Sequence, residues 1–138
     1  MECARILIAD DHAEFLAKVV QIIEGESDLK IVKTFSNGQS LVDEAANFDP
    51  DLFILDISMP GLNGIDVASR LMARDRNTRI VFLTVHDASD YLRSALATGA
   101  LGYVVKARLA TDLMTALREA LAGRSFVSRT PALAAAVE

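Results

Sequence analysis

Disulfide chemistry is closed to this chain, because Cys3 is its one cysteine. A single thiol makes no internal bridge, and a reducing cytoplasm suits it. Cys3 reads as a small residue leading into a strand, with no redox role. No run approaches the roughly 18 apolar residues that suggest a membrane span. Met1 to Arg5 has no basic stretch followed by an apolar one, so a secretory leader is not expected and the cytoplasm is the expected location. Basic clusters are equally scarce. Arg74, Arg76 and Arg79 come nearest, but Asp75 interrupts them and the net charge is −5. Nucleic-acid binding by this chain itself is therefore disfavoured.

What remains is a chain of 138 residues, 51% of them hydrophobic, enough for one domain with a sizeable core. Its centre is the stretch from Asp51 to Gly64. Leu52 to Leu55 has no polar face and reads as a strand covered on both sides. It ends abruptly in Asp56, where an open α/β sheet places its ligands. Taken alone, Asp56 reads equally well as a strand-ending carboxylate bonded to its own turn.

The same theme recurs along the chain. Arg5 leads into an apolar strand, Ile6 to Ala9, that closes on Asp10-Asp11, with His12 directly after. Leu16, Val19, Val20 and Ile23 then form a helical stripe stopped by Gly25. Leu29 to Phe35 reads as a second strand. Ser36 and Gln39 have capping-box spacing at the start of a helix ended by Asp49-Pro50. After the central strand, Val67, Ala68, Leu71 and Met72 fall at helical spacing. Ile80 to Val85 is a fourth strand with Thr84 near its end, and Asp87 and Asp90 fit the first turn of the next helix. Leu101 to Lys106 is a fifth strand ending in lysine, followed by a helix with Leu109, Leu113, Leu117 and Leu121. Strand and helix alternate five times, which implies a parallel sheet with helices on both faces.

In such a sheet Asp10, Asp11, Asp56, Thr84 and Lys106 share one edge. Three carboxylates brought together repel one another, and a hard divalent cation relieves that repulsion. Lys106 offers a positive charge, and Thr84 a hydroxyl, to an anionic substrate oxygen. His12 and His86 lack metal-ligand spacing and read as loop residues near the mouth. Met59 and Met72 read as packing residues.

An acidic pair after the first strand, Asp56-x-x-Met59-Pro60-Gly61-x-x-Gly64 after the third, Thr84 after the fourth, and Gly102-Tyr103-x-x-Lys106 at the fifth occur in one order. This pattern resembles the receiver domain of two-component response regulators, over about residues 5 to 123. Leu83 to Phe126 looks most like the NarL/FixJ branch. The resemblance implies a doubly wound, CheY-like five-stranded parallel sheet in the order 2-1-3-4-5. It implies Asp56 as phosphoacceptor from a histidine kinase or phosphotransfer protein. It further implies Mg²⁺ held by Asp11, Asp56 and the backbone carbonyl of Ser58, with Asp10 acting through water. Lys106 and Thr84 would contact the phosphoryl group, Thr84 and Tyr103 would form the switch, and Ser58 and His86 match positions that tune self-dephosphorylation. Members often carry proline after the lysine, with a cis bond; here Ala107 follows, and a cis bond without proline costs about 3–4 kcal/mol.

Two rivals lack a needed residue or carry one too many. An Asp-nucleophile, Mg²⁺-dependent phosphatase of the haloacid dehalogenase type needs a second Asp at position 58, which is Ser. A pseudo-receiver would be expected to lack an acidic residue or the lysine, and all are present. The expected organisation is a receiver over 1–124 and a tail or linker over 125–138, with neither a strand-helix unit nor a DNA-reading helix in that tail. The branch usually continues into a helix-turn-helix domain, so DNA would be reached through a domain absent from this chain. A stand-alone receiver acting by protein docking is the alternative. Phe15 and Ile22 add apolar surface to the first helix, and Ala, Leu and Met do so on the last; the alternatives are a plain core edge and a homodimer through the first and last helices, or through the fourth helix, fifth strand and last helix.

Overall fold

The computed structural model describes residues 3–136. Six strands form one parallel sheet: β1 (Ala4–Ala9), β2 (Leu29–Phe35), β3 (Leu52–Asp56), β4 (Ile80–Thr84), β5 (Gly102–Val105) and β6 (Phe126–Val127). Their order is β2-β1-β3-β4-β5-β6, and every neighbouring pair is parallel. The helices are α1 (Ala13–Glu24), α2 (Gly38–Glu44), α3 (Gly64–Arg74), α4 (Ser89–Ala97), α5 (Leu109–Leu121) and α6 (Pro131–Ala136).

Alternation along each strand builds two cores. Leu7, Phe53, Leu55, Phe82 and Tyr103 project to one face, against Val42 of α2, Val67 and Leu71 of α3, and Leu92 of α4. Ile6, Ile8, Ile54, Val81 and Val104 project to the other, against Val19 and Ile23 of α1 and Leu113 and Leu117 of α5. A strand that contributes to both faces has no solvent side, which is why β3 and β4 are buried at every position. Strand order follows from this. The apolar central strands take the middle, and Lys30, Lys33 and Thr34 of β2 face water at one edge.

Several boundaries differ from the sequence expectation. The cap of α2 is Asn37, whose side chain accepts from the Ser40 amide at 2.8 Å; Ser36 lies one residue too early. That helix gives way to a 3₁₀ turn at Ala45–Asn47, before Asp49-Pro50. Asp49 itself takes φ 48°, a left-handed conformation that asparagine and aspartate tolerate better than most residues. Asp87 precedes α4 rather than joining its first turn. Strand β5 ends at Val105, and Lys106 opens a 3₁₀ turn, Lys106–Arg108. The bond after Lys106 is trans, like every other peptide bond among the described residues.

The largest difference is a sixth strand where five were expected. The segment after Gly123 makes a short strand-helix unit of its own. Amides of Phe126 and Ser128 donate to carbonyls of Leu101 and Tyr103, so β6 satisfies the open edge of β5. Helix α6 packs on α4, and Leu133 is fully buried in the same core as Tyr103, Val105 and Leu92. Two residues of strand and one leucine anchor are too short a pattern to register as periodicity. Val137 and Glu138, assigned to the tail, lie outside the described residues.

Burial of Leu133 makes the docking of α6 measurable. Leu133→Ala should destabilise the domain by about 2–5 kcal/mol in urea unfolding, as for other buried leucines. A change near zero would mean that α6 does not pack on the domain in solution.

Candidate functional site

The carboxyl ends of β1, β3, β4 and β5 converge because all strands run the same way. Asp10 follows β1, and Asp56 closes the neighbouring β3; both are 2% exposed. Each carboxylate is fixed by the backbone two residues on. Asp10 Oδ1 accepts from the His12 amide at 2.8 Å, and Asp56 Oδ1 accepts from the Ser58 amide at 3.1 Å. Asp11 is turned to the exposed rim. The loop after Asp56 folds back tightly, with the Gly64 amide on the Ile57 carbonyl at 3.0 Å. A Cβ at position 64 would collide with the backbone carbonyl of Asp56, so only glycine permits this approach.

Lys106 enters this cluster from the β5 end. Its ammonium lies 3.0 Å from Asp10 Oδ2 and 3.2 Å from Asp56 Oδ2, and 4.6 Å from the centre of the Phe15 ring. Only 4% of its side chain is exposed, which rules out a lysine snorkelling to the surface. The approach to Asp10 Oδ2 is close enough for charge attraction but poorly directed, leaving that oxygen a buried acceptor without a hydrogen-bond donor among the described residues. Burial raises the Asp56 carboxyl above its usual range; the charge on Asp10 adds to this, and Lys106 opposes it.

One member of the cluster was not anticipated. The His12 Nδ1 atom lies 3.3 Å from Asp10 Oδ1, 3.1 Å from Asp11 Oδ1 and 3.3 Å from Asp56 Oδ2. His12 does sit at the mouth, as expected, but its ring reaches inward among the carboxylates. The signal in the sequence was its position directly after the acidic pair. Asp10, Asp11, His12 and Asp56 each present one ligand atom, all within 4.8 Å of one another. Crowded carboxylates, one orphaned buried oxygen and a single ammonium make a donor set compatible with a hard divalent cation such as Mg²⁺.

The Thr84 side is a chain of bonds through residue 86. The His86 amide donates to Thr84 Oγ1 at 3.0 Å, and the His86 carbonyl accepts from the Tyr103 hydroxyl at 2.9 Å. Thr84 and Tyr103 are both fully buried, so Tyr103 already points inward. Burial, followed by the charge of Asp87, pushes the Tyr103 phenol well up. The His86 ring contacts Ser58 Oγ at 2.5 Å and stacks on Tyr91 with centroids 3.9 Å apart. Tyr91 lies on α4, and no spacing rule links it to a loop histidine. Met59 is buried in the core, Met72 packs against it, and exposed Cys3 stands apart from the cluster with its thiol on the Ser27 carbonyl.

Comparison with known proteins places these features in context. The model of the response regulator receiver domain matches residues 6–118. The chain is 38% identical over 138 residues to the nitrate/nitrite response regulator protein NarL of Escherichia coli K12, covering 99% of this chain and 64% of that protein. A two-component response regulator of the LuxR family from Aurantimonas sp. SI85-9A1 is similar in structure, with a TM-score of 0.89, 27% identity, and coverage of 99% of this chain and 96% of that one. The receiver domain of the response regulator NarL from Mycobacterium tuberculosis gives a TM-score of 0.84 at 27% identity, over 90% of this chain and 100% of that one.

The raised Asp56 carboxyl has a consequence for stability. Its contribution is full below the ordinary value of 3.8 and is lost as pH rises through the higher folded-state value. In chelator at neutral pH, Asp56→Asn should therefore melt above the unsubstituted chain, and the gap should close toward acid. Thermal melts followed by circular dichroism across pH 3.5 to 7.5 check this.

Proposed function

The chain belongs to the response regulator receiver domain family, in its NarL/FixJ branch, and from that premise we propose that Asp56 accepts a phosphoryl group from a partner histidine kinase or phosphotransfer protein. The observation that carries this is the placement of Asp56. It is a buried carboxylate at the end of the central strand, between a backbone amide and the Lys106 ammonium. A carboxylate oxygen attacks phosphorus, the phosphorus–nitrogen bond of the phosphohistidine breaks, and its electron pair returns to the imidazole. The product is an aspartyl phosphate.

Asp11, Asp56 and the Ser58 carbonyl would hold Mg²⁺ directly, and Asp10 through water. When bound, the ion supplies charge neutralisation that lets an anionic phosphoryl group approach a cluster of carboxylates. Lys106 offsets the charge left on the phosphoryl oxygens, and Thr84 turns its hydroxyl to one of them. That turn takes Thr84 Oγ1 from the His86 amide. The carbonyl of the same residue holds the Tyr103 hydroxyl, so Thr84 and Tyr103 respond as a unit. Ser58 and His86 sit where hydrolysis of the aspartyl phosphate is tuned, so self-dephosphorylation ends the signal. The domain acts as a switch, not as an enzyme on a separate substrate.

The chain spans 64% of the length of its NarL relative. The proposed output is transcription control through a helix-turn-helix domain outside this chain, with residues 1–124 as the receiver and 125–138 as the tail leading toward it. A stand-alone receiver that docks a partner is the competing reading. Phe15 and Ile22 flank a groove of about 350 Å³ beside Lys106, and Val85 and Tyr91 are the exposed large hydrophobic residues near α4. These are the surfaces on which a kinase or a second copy would seat. Among the described residues no helix is long and apolar enough to cross a membrane, which fits a cytoplasmic setting.

Incubation with Mg²⁺ and a small phosphodonor should label the chain with a phosphoryl group that base or hydroxylamine removes. Asp56→Asn should abolish the label while keeping the fold; labelling at an undiminished rate would overturn the assignment. Asp11→Asn should weaken Mg²⁺ binding by at least about tenfold, since even outer-shell changes at metal sites cost that much. An NMR or fluorescence titration measures it.

A further inference from the structure

Position 107 is alanine, so no proline ring constrains the backbone beside Lys106. The ammonium is nevertheless aimed at Asp10 and Asp56 from a short 3₁₀ turn. That turn is gripped at both ends by a polar network outside the carboxylate cluster. On the near side, the Val105 amide donates to Ser128 Oγ at 3.1 Å. On the far side, Arg108 Nε donates to Asp112 Oδ2 at 2.9 Å. Ser128 closes the loop by donating its hydroxyl hydrogen to Asp112 Oδ2 at 2.7 Å.

The Ser128 part of the network is buried, while Arg108 is half-exposed. Ser128 is 1% exposed and Asp112 5% exposed, so water does not compete for the Val105–Ser128 and Ser128–Asp112 bonds. Buried polar groups tied together in this way rigidify what they touch, and deleting one strands its partners. Ser128 belongs to the segment after β6, and its own amide is anchored on the Tyr103 carbonyl at 2.8 Å. The residues before and after Lys106–Ala107 thus hang from one hydroxyl and one carboxylate. Neither group touches the reacting atoms.

We propose that Ser128 and Asp112 are positioning residues for phosphoryl transfer: they hold the Lys106 turn where its ammonium faces Asp10 and Asp56. This rests on Lys106 acting on the phosphoryl group as proposed above. It gives the tail a part in the chemistry, because the hydroxyl that supports Lys106 arrives from beyond the receiver pattern legible in the sequence.

The test uses the full chain, acetyl phosphate as phosphodonor and Mg²⁺, with maximal rate and half-saturating donor concentration measured separately. Ser128→Ala should lower the maximal rate roughly tenfold, the order expected when a catalytic group is misplaced by a fraction of an ångström. Mg²⁺ is kept saturating for each variant, as judged by titration, because Lys106 is bonded to Asp56 and its displacement also moves the affinity. Ser128→Thr keeps the hydroxyl and should restore the rate. If Ser128→Ala fails to fold, Asp112→Asn takes its place; it loosens the grip on Arg108 and should slow the same step. A merely structural role would lower the unfolding midpoint and leave the maximal rate of the folded variant alone. A normal maximal rate in the folded variant, with Lys106→Ala impaired, overturns the positioning role only. Normal rates in both overturn the role of Lys106 and this proposal with it.

Discussion

The site depends on one buried ammonium set against buried carboxylates. Lys106 lies within 3.2 Å of both Asp10 and Asp56, and all three side chains are almost sealed from water. Burying charge is costly unless the charges meet in good geometry, and here the match is incomplete. One carboxyl oxygen of Asp10 has no hydrogen-bond donor among the described residues, and the Asp56 carboxyl is raised by burial and by its acidic neighbour. A site left short of positive charge attracts a cation and tolerates an anionic group only alongside one. Chemical purpose and local instability have the same source.

The sheet is what makes this arrangement reproducible. Strands β1 and β3 are hydrogen-bonded neighbours, so Asp10 and Asp56 are set side by side by backbone register rather than by flexible side chains. Strand β5 brings Lys106 from the other side of β4. Short backbone-to-carboxylate bonds from His12 and Ser58 then aim each acid. The close approach of Gly64 to Asp56 keeps the following loop tucked below the site.

Coupling outward runs through backbone groups. Residue 86 offers its amide to Thr84 and its carbonyl to Tyr103, so one peptide segment senses both. Tyr103 shares its core with Leu133 of α6 and lends its carbonyl to Ser128. The face next to Tyr103 is therefore partly covered by the segment after Gly123.

By itself, the sequence determined the alternation of strands and helices, and with it a parallel sheet whose strand ends gather Asp10, Asp11, Asp56, Thr84 and Lys106. These were legible because apolar runs and helical stripes are local patterns, and because parallel strands put their carboxyl ends on one edge. The motif resemblance added the roles expected of those residues and of Tyr103. Tertiary structure alone decided the rest. The His12 ring among three carboxylates, the stacking of Tyr91 on His86, and the Ser128–Asp112 bond join residues whose spacing carries no signal. The sixth strand and Leu133 are anchored by the open edge of β5 and the flank of α4, which exist only once the sheet is built. A contact between distant residues is set by the geometry of the whole fold, and local composition holds no record of it.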